Sequence, residues 1–352
     1  MARGYRPTPY CNRSLHHEAY DAAVQPSPAD VLAARSRISK LIVETPLLSL
    51  DPDRTAKGAP AVWAKAESLQ RTRSFKLRGA MNFVASLDEA TRARGVVTHS
   101  SGNHGQALAC AASRFGIPAT VVIPEGAPEV KIERTKGWGA TVLRCANDGA
   151  SRAAVAEQAV QDTGGTLVPP YDHPWIVAGQ GTMGMEISEQ LPDVGNVLVC
   201  VGGGGLAAGT VLAMQERAPN AKVVGVEPEL AADAKESLTK GERLAWTAEQ
   251  TNRTIADGVR TQQLGGVPFP ILRDGLAGIV TVPEDDIVRA ARWWLREGGL
   301  AVEPTGALTL AAWWRILEGS GQADGVTLND GPTVLVVSGG NADPTWLASL
   351  LP

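Results

Sequence analysis

Six short apolar runs separated by helical patterns constrain this chain more than any other feature. They are 96–98 (Val-Val-Thr), 119–123 (Ala-Thr-Val-Val-Ile), 141–143 (Thr-Val-Leu), 197–201 (Val-Leu-Val-Cys-Val), 222–226 (Lys-Val-Val-Gly-Val) and 333–337 (Thr-Val-Leu-Val-Val). They are rich in β-branched side chains, which suit strands buried on both faces. Helical patterns such as 106–115 and 206–217 lie between them. Buried strands alternating with helices make βαβ units, so an α/β fold with mostly parallel sheets is expected. Ser27-Pro28-Ala29-Asp30 ahead of Val31, Ile38 and Leu41 reads as the capped start of the first helix.

Composition narrows the function classes. The 33 Lys and Arg against 37 Asp and Glu give a formal net charge of −4, with no dense basic run. A nucleic-acid partner is therefore not expected. An apolar share of 44% excludes wholesale disorder. No stretch approaches the ~20 apolar residues that cross a bilayer, so no membrane partner is expected. The N-terminus lacks the apolar core of a signal peptide, which points to the cytoplasm. Residues 1–27, punctuated by Pro7, Pro9 and Pro26, read as a disordered extension, and the adjacent His16 and His17 would face apart. Cys11, Cys110, Cys145 and Cys200 form no CxxC pair, and Cys110 and Cys200 sit in apolar runs as buried thiols. Trp293-Trp294 and Trp313-Trp314 lie on helical patterns, where they read as core or subunit packing.

In a parallel sheet, chemistry gathers beyond the carboxyl ends of the strands. Four loops stand out there. Gly202, Gly203, Gly204 and Gly205 follow one strand and open a helix. Bare backbone lets several N–H groups converge on a phosphate at a helix N-terminus. No Gly-Lys-Ser/Thr follows and the GxGxxG spacing is absent, which disfavours ATP and NAD. The second loop, His99-Ser-Ser-Gly-Asn-His-Gly-Gln106, sets Ser100, Ser101 and Asn103 beside free amides, suited to a carboxylate and a ring oxygen. His104 within it reads more naturally as structural than as a general base. The third, 68–80, places Lys76 between Phe75 and Leu77, where a desolvated amine favours Schiff-base chemistry over a solvated role. The fourth, Val336-Val-Ser-Gly-Gly-Asn341, ends a strand with a hydroxyl and glycines. An amine, a phosphate cradle and an oxygen-recognising loop together meet the needs of pyridoxal phosphate.

With these motifs the sequence resembles the threonine/serine dehydratase and serine racemase family of pyridoxal-phosphate enzymes. The matches, in the family's order, are Ser74-Phe-Lys76-Leu-Arg-Gly-Ala, Ser100-Ser-Gly-Asn103-His-Gly, Gly202–Gly205, Thr254-Ile-Ala-Asp257-Gly258, Glu303-Pro-Thr-Gly and Ser338-Gly-Gly-Asn341. The resemblance implies fold type II (tryptophan synthase β-like), with two open, twisted, mostly parallel sheets flanked by helices. It implies a large cofactor-binding domain over 28–94 and 173–352 and a small substrate domain over 95–172. It makes Lys76 the Schiff-base lysine, sandwiches the ring between Phe75 and Gly258, and puts Asn103 at the ring hydroxyl. Gly202–Gly205 would hold the phosphate, Ser338 would face the ring nitrogen, and Glu303 would belong to the cofactor site. Ser100, Ser101, Asn103 and His104 would take the substrate carboxylate, with Arg152 and Thr261 as further substrate contacts. A homodimer is implied by the family alone.

The resemblance also implies a divalent cation, Mg²⁺ or alternatively Ca²⁺ or Mn²⁺, on Glu227, Asp233 and the carbonyl of Ala231. These are hard oxygen donors, although by spacing alone a solvated acidic loop is the simpler reading. Arg73 departs from the family, where a small residue is common. The chain ends soon after Ser338, so no regulatory domain is expected.

The implied activity is dehydration of a 3-hydroxy amino acid such as serine, threonine or 3-hydroxyaspartate to a 2-oxo acid and ammonia. Lys76 would remove the α-proton, and a neutral Ser338 would favour prompt loss of the β-hydroxyl. Ser101 keeps racemisation open as the alternative, because a hydroxyl there resembles the racemases. β-Replacement and a catalytically silent binding protein are weaker rivals; the intact Lys76 opposes the second. Arg73, Arg152 and Arg260 are candidates for a second substrate carboxylate.

Overall fold

The structure is a computed structural model that describes residues 25–51, 60–100, 102–127, 129–319 and 322–351. The extension before residue 25, with Cys11, His16 and His17, lies outside the described residues, as does Ser101.

Two sheets organise the chain. In the larger, β1 (Leu47–Leu50) and β2 (Val62–Lys65) pair antiparallel. The sheet continues in parallel through β12 (Thr333–Val336), β7 (Asn196–Cys200), β8 (Lys222–Pro228) and β9 (Gly278–Val282), in the order β1-β2-β12-β7-β8-β9. The smaller sheet is wholly parallel. Its order is β5 (Thr141–Cys145), β4 (Ala119–Pro124), β3 (Val96–His99), β6 (Thr166–Leu167). A short hairpin joins β10 (Gln322–Ala323) to β11 (Val326–Thr327). The expected α/β architecture of two mostly parallel sheets is therefore present.

Each apolar run of the sequence forms a strand, and β4 and β7 are buried along their whole length. The first helix is Pro28–Ile38, where Ser27 and Asp30 exchange hydrogen bonds in a capping box. Behind the larger sheet, helices Pro174–Gln190 and Gly205–Arg217 pack backbone to backbone. A side chain on Gly209 would collide with the Val177 carbonyl and Gly181. Trp294, Trp313 and Trp314 are buried in the core of the larger sheet, as are Cys200 there and Cys110 and Cys145 near the smaller one. No described helix is long and apolar enough to cross a membrane.

β1, β2, β6, β9 and the hairpin are additions to the expected strands. β1 and β2 are four residues each, and β2 ends in a wholly buried lysine, Lys65. A charged residue in a short run conceals a strand when its partner, Glu186, lies 121 residues away.

Candidate active site

The ends of β12, β7 and β3 meet the starts of three helices. Lys76 is the first residue of helix Lys76–Ser86. Its backbone is fixed by the N–H of Phe75, which donates to the Ser338 carbonyl at 3.1 Å, and by the bridge between Ser74 and Gly339. Lys76 Nζ donates to the Pro170 carbonyl at 2.8 Å and stands 5.1 Å from the centre of the Phe75 ring. Burial pulls its pKa down to about 8, opposed in part by Cys200 and Glu303. The expected lysine and its aromatic neighbour therefore lie beside the expected strand-end serine.

The glycine loop runs from the end of β7 into helix Gly205–Arg217. Gly204 has φ +90°, a conformation that excludes most side chains. Among the described residues, no backbone carbonyl takes the N–H of Gly202, Gly203 or Gly204. Those free amides at a helix N-terminus fit a phosphate. The Tyr171 ring fills the place a side chain on Gly203 would need, and the Tyr171 backbone closes on Gly205. Tyr171 was missed by sequence reasoning. Its segment is anchored by Asp172, which accepts from the N–H groups of Gly266 and Val267 at 2.9 and 2.8 Å.

Asn103 begins helix Asn103–Phe115, and its side-chain amide donates to Glu303 Oε1 at 2.7 Å. Asn341 in turn donates to Asn103 Oδ1 at 2.8 Å. Burial and the charge of Asp257 push the Glu303 carboxyl up to about 7. Ser338 Oγ is buried with the weakly bonding Cys200 thiol as its side-chain neighbour and no nitrogen or oxygen partner, a setting that suits a hydroxyl facing a ring nitrogen. The Gly258 N–H is held by Thr305 Oγ1 at 3.0 Å, and a side chain on Gly258 would press on Thr305.

The substrate candidates divide. Ser100 Oγ accepts from the Gly102 N–H at 3.3 Å at the mouth of the Asn103 helix. Thr261 Oγ1 is buried without a partner, 3.4 Å from the place of a Cβ on Gly202, so it reaches the glycine loop. Arg152 Nε is likewise buried and unpartnered, and Arg152 lies near enough to His99 to help lower the histidine's pKa. The His104 side chain is committed elsewhere. Its Nε2 lies 3.1 Å from the Val168 carbonyl, and burial drives its pKa down to about 3. So placed, the ring stays neutral and turns to the Val168 carbonyl. Arg260 donates from Nε to the Thr254 carbonyl at 2.8 Å and so turns to its own loop. Arg73 has a positive φ of 57° immediately before Ser74.

The acidic pair forms a separate centre at the end of β8. Glu227 accepts from the N–H groups of Ala234 and Lys235 at 3.0 and 2.8 Å. Both oxygens of Asp233 are buried with no partner. Burial holds Asp233 up near about 7, and burial together with Asp233 raises Glu227 well above the ordinary range. Two buried carboxyl groups, one of them with both oxygens unmet, fit a hard cation. Among the described residues no three His, Cys, Asp or Glu side chains converge, so further donors would be carbonyls such as that of Ala231, and water.

An α/β enzyme that carries pyridoxal phosphate is the class that this fold and this lysine-centred cleft define. The chain belongs to the pyridoxal-phosphate dependent enzyme family, whose model matches residues 38–339. It is 38% identical to the serine racemase of Schizosaccharomyces pombe, over 92% of this chain and 96% of that protein. It is 37% identical to the L-threo-3-hydroxyaspartate ammonia-lyase of Saccharomyces cerevisiae, over 93% of this chain and 97% of that protein. Among solved structures, the serine racemase of Dictyostelium discoideum superposes with a TM-score of 0.82 at 36% identity, covering 90% of this chain and 99% of that one. A solved threonine deaminase superposes equally well, with a TM-score of 0.82 at 41% identity. These neighbours are of fold type II, as expected from the motifs.

Proposed function

We propose that this chain is an ammonia-lyase that dehydrates a 3-hydroxy amino acid, such as serine, threonine or 3-hydroxyaspartate, to a 2-oxo acid and ammonia. The buried, neutral Ser338 hydroxyl beside Lys76, with no charged partner, is the observation that carries it. A neutral partner at the ring nitrogen stabilises a carbanion poorly and so favours prompt loss of the β-hydroxyl. When bound, pyridoxal phosphate draws electrons from the substrate's α-carbon. Lys76 Nζ holds the cofactor and then takes the α-proton, a task suited to an amine whose pKa burial has lowered to about 8. Gly202 to Gly205 hold the phosphate, Asn103 and Glu303 orient the ring hydroxyl, and Phe75 and Gly258 flank the ring. The N-terminus of the Asn103 helix, with Ser100, Ser101 and the His104 backbone, receives the substrate carboxylate. Arg152 and Thr261 complete the substrate contacts. Residues 95–172 act as a small domain that closes on the rest, 28–94 and 173–352, and excludes water. Glu227, Asp233 and the Ala231 carbonyl hold Mg²⁺, Ca²⁺ or Mn²⁺. The protein works as a cytoplasmic homodimer.

Racemisation of the same substrate is the second reading, favoured by Ser101 and by relatives named serine racemase. One panel separates the two: L-serine, L-threonine and both 3-hydroxyaspartate diastereomers, followed for 2-oxo acid, ammonia and the chirality of leftover substrate. Oxo acid without inversion supports the lyase. Appearance of the D-isomer, lost in Ser101→Ala while elimination persists, supports the racemase. No reaction with any member overturns both.

A further inference from the structure

Beneath the lysine lies a cluster of four buried charges. Lys65, Glu67, Arg78 and Glu186 have fully buried side chains. Arg78 stands at the centre. It donates to Glu67 from Nε at 2.8 Å and from Nη2 at 2.7 Å. It donates to Glu186 from Nη1 and Nη2, both at 2.7 Å, and to Thr182 Oγ1 at 3.2 Å. Lys65 Nζ adds a bond to Glu186 at 2.7 Å and one to the Thr45 carbonyl at 2.7 Å. The two positive and two negative groups that are fully buried balance, with Arg35 reaching Glu186 at 3.2 Å from the edge, and they tie β2, the 67–69 turn, helix Lys76–Ser86 and helix Pro174–Gln190 together.

Burying such a cluster costs so much desolvation that apolar packing would be about as stabilising. What an apolar cluster lacks is direction. A guanidinium held on two sides by forked bonds fixes both its plane and the backbone that carries it. That constraint falls two residues from Lys76. No side-chain cap fixes the start of this helix, because Phe75 at its N-cap makes no capping bond. Ser338 holds the residue before Lys76, and Arg78 holds the one two beyond it.

We infer that Arg78 is a positioning residue for Lys76: its double fork to Glu67 and Glu186 sets the register and direction of the first helical turn, and so the place of the reacting amine. The inference rests on Lys76 being the cofactor-binding lysine, which borohydride reduction and mapping of the labelled residue test separately.

Arg78→Lys keeps the charge and loses the fork. Lys65→Met removes a charge from the same cluster and leaves every Arg78 bond in place. Pyridoxal phosphate has no chirality of its own, so its visible circular dichroism per bound cofactor reports how asymmetrically and firmly it is held. Arg78→Lys is expected to lose at least half of that signal, with kcat down roughly tenfold and KM within about twofold, as for a misplaced reacting group. Lys65→Met is expected to lower Tm while keeping dichroism and kcat within about twofold, because the fork survives. If Arg78→Lys does not fold, Glu67→Gln breaks one of the two forks by setting an amide N–H against the guanidinium, and is expected to move dichroism and kcat in the same direction. The inference is overturned if the Arg78 or Glu67 variant loses only Tm, or if Lys65→Met loses dichroism equally.

Discussion

Lys76 Nζ donates to the carbonyl of Pro170 at 2.8 Å, and among the described residues it forms no ion pair. A carbonyl accepts the proton without the full countercharge of a carboxylate, so burial prevails and the pKa falls from 10.5 to about 8. Only the neutral amine attacks an aldehyde. Cofactor-free protein should therefore capture pyridoxal phosphate faster as pH rises, levelling off above about 8. The unfolded chain binds the extra proton between about 8 and 10.5, so the stability of cofactor-free protein should also rise through that window. Stopped-flow absorbance and thermal melts measure the two. Lys76→Ala should abolish the covalent phase, and a capture rate flat from pH 7 to 10 would contradict the lowered pKa.

Gly203 and Tyr171 share one space. Gly203→Ala would drive a methyl group into the Tyr171 ring, and ring or loop must give way. Overpacking of this kind costs about 1–3 kcal/mol. Pyridoxal phosphate affinity should fall roughly tenfold if the strain is borne by the phosphate loop. Tyr171→Ala in the same chain should restore much of it by vacating the ring's place. Equilibrium titration of the four proteins gives the coupling, and simple additivity would show that the ring does not set the loop.

The sequence exposed what depends on local pattern. The β-branched runs, the Ser27 cap and the four glycines each state a backbone requirement within a few residues, and each was met. The segments that carry Lys76, Asn103 and Ser338 stand at the ends of different elements, so the sequence suggested their shared chemistry but the role of each residue came only from the family resemblance. What stayed hidden was set by distant partners. Lys65, Glu67, Arg78 and Glu186 look like ordinary surface charges until the fold buries them together. Tyr171 follows a two-residue strand, and nothing local tells that its ring will cover a glycine more than thirty residues on. His104 shows the opposite limit: its motif is legible, but only the Val168 contact shows where the ring turns.

Asp233 has two buried oxygens and no partner, while Glu227 already accepts two backbone N–H groups. A divalent cation would relieve the exposed demand at Asp233 first. Added Mg²⁺, Ca²⁺ or Mn²⁺ should raise the Tm of chelator-treated protein, as any ligand selective for the folded state does. Asp233→Asn should lose most of that increment and melt no lower than the chelated parent, because a neutral amide is less costly to bury than an unpaired carboxylate. An unchanged cation-induced shift in the variant would place the ion elsewhere.

Glu303 accepts from Asn103 while facing the charge of Asp257, and burial with that repulsion holds its pKa near about 7. The ionised carboxylate is the better acceptor, so Asn103 is held most firmly above that pH. Pyridoxal phosphate affinity should weaken as pH drops through about 7. Asp257 is also paired with Lys131 at 2.7 Å. Asp257→Asn removes the repelling charge and leaves Lys131 to favour the Glu303 carboxylate, so the weakening should begin at lower pH. Cofactor dissociation constants measured from about pH 5.5 to 8 in both proteins, a span that brackets the Glu303 titration, give the midpoints. Coincident midpoints would mean that Asp257 does not govern Glu303, and a pH-independent affinity would mean that the Asn103 bond does not depend on its charge.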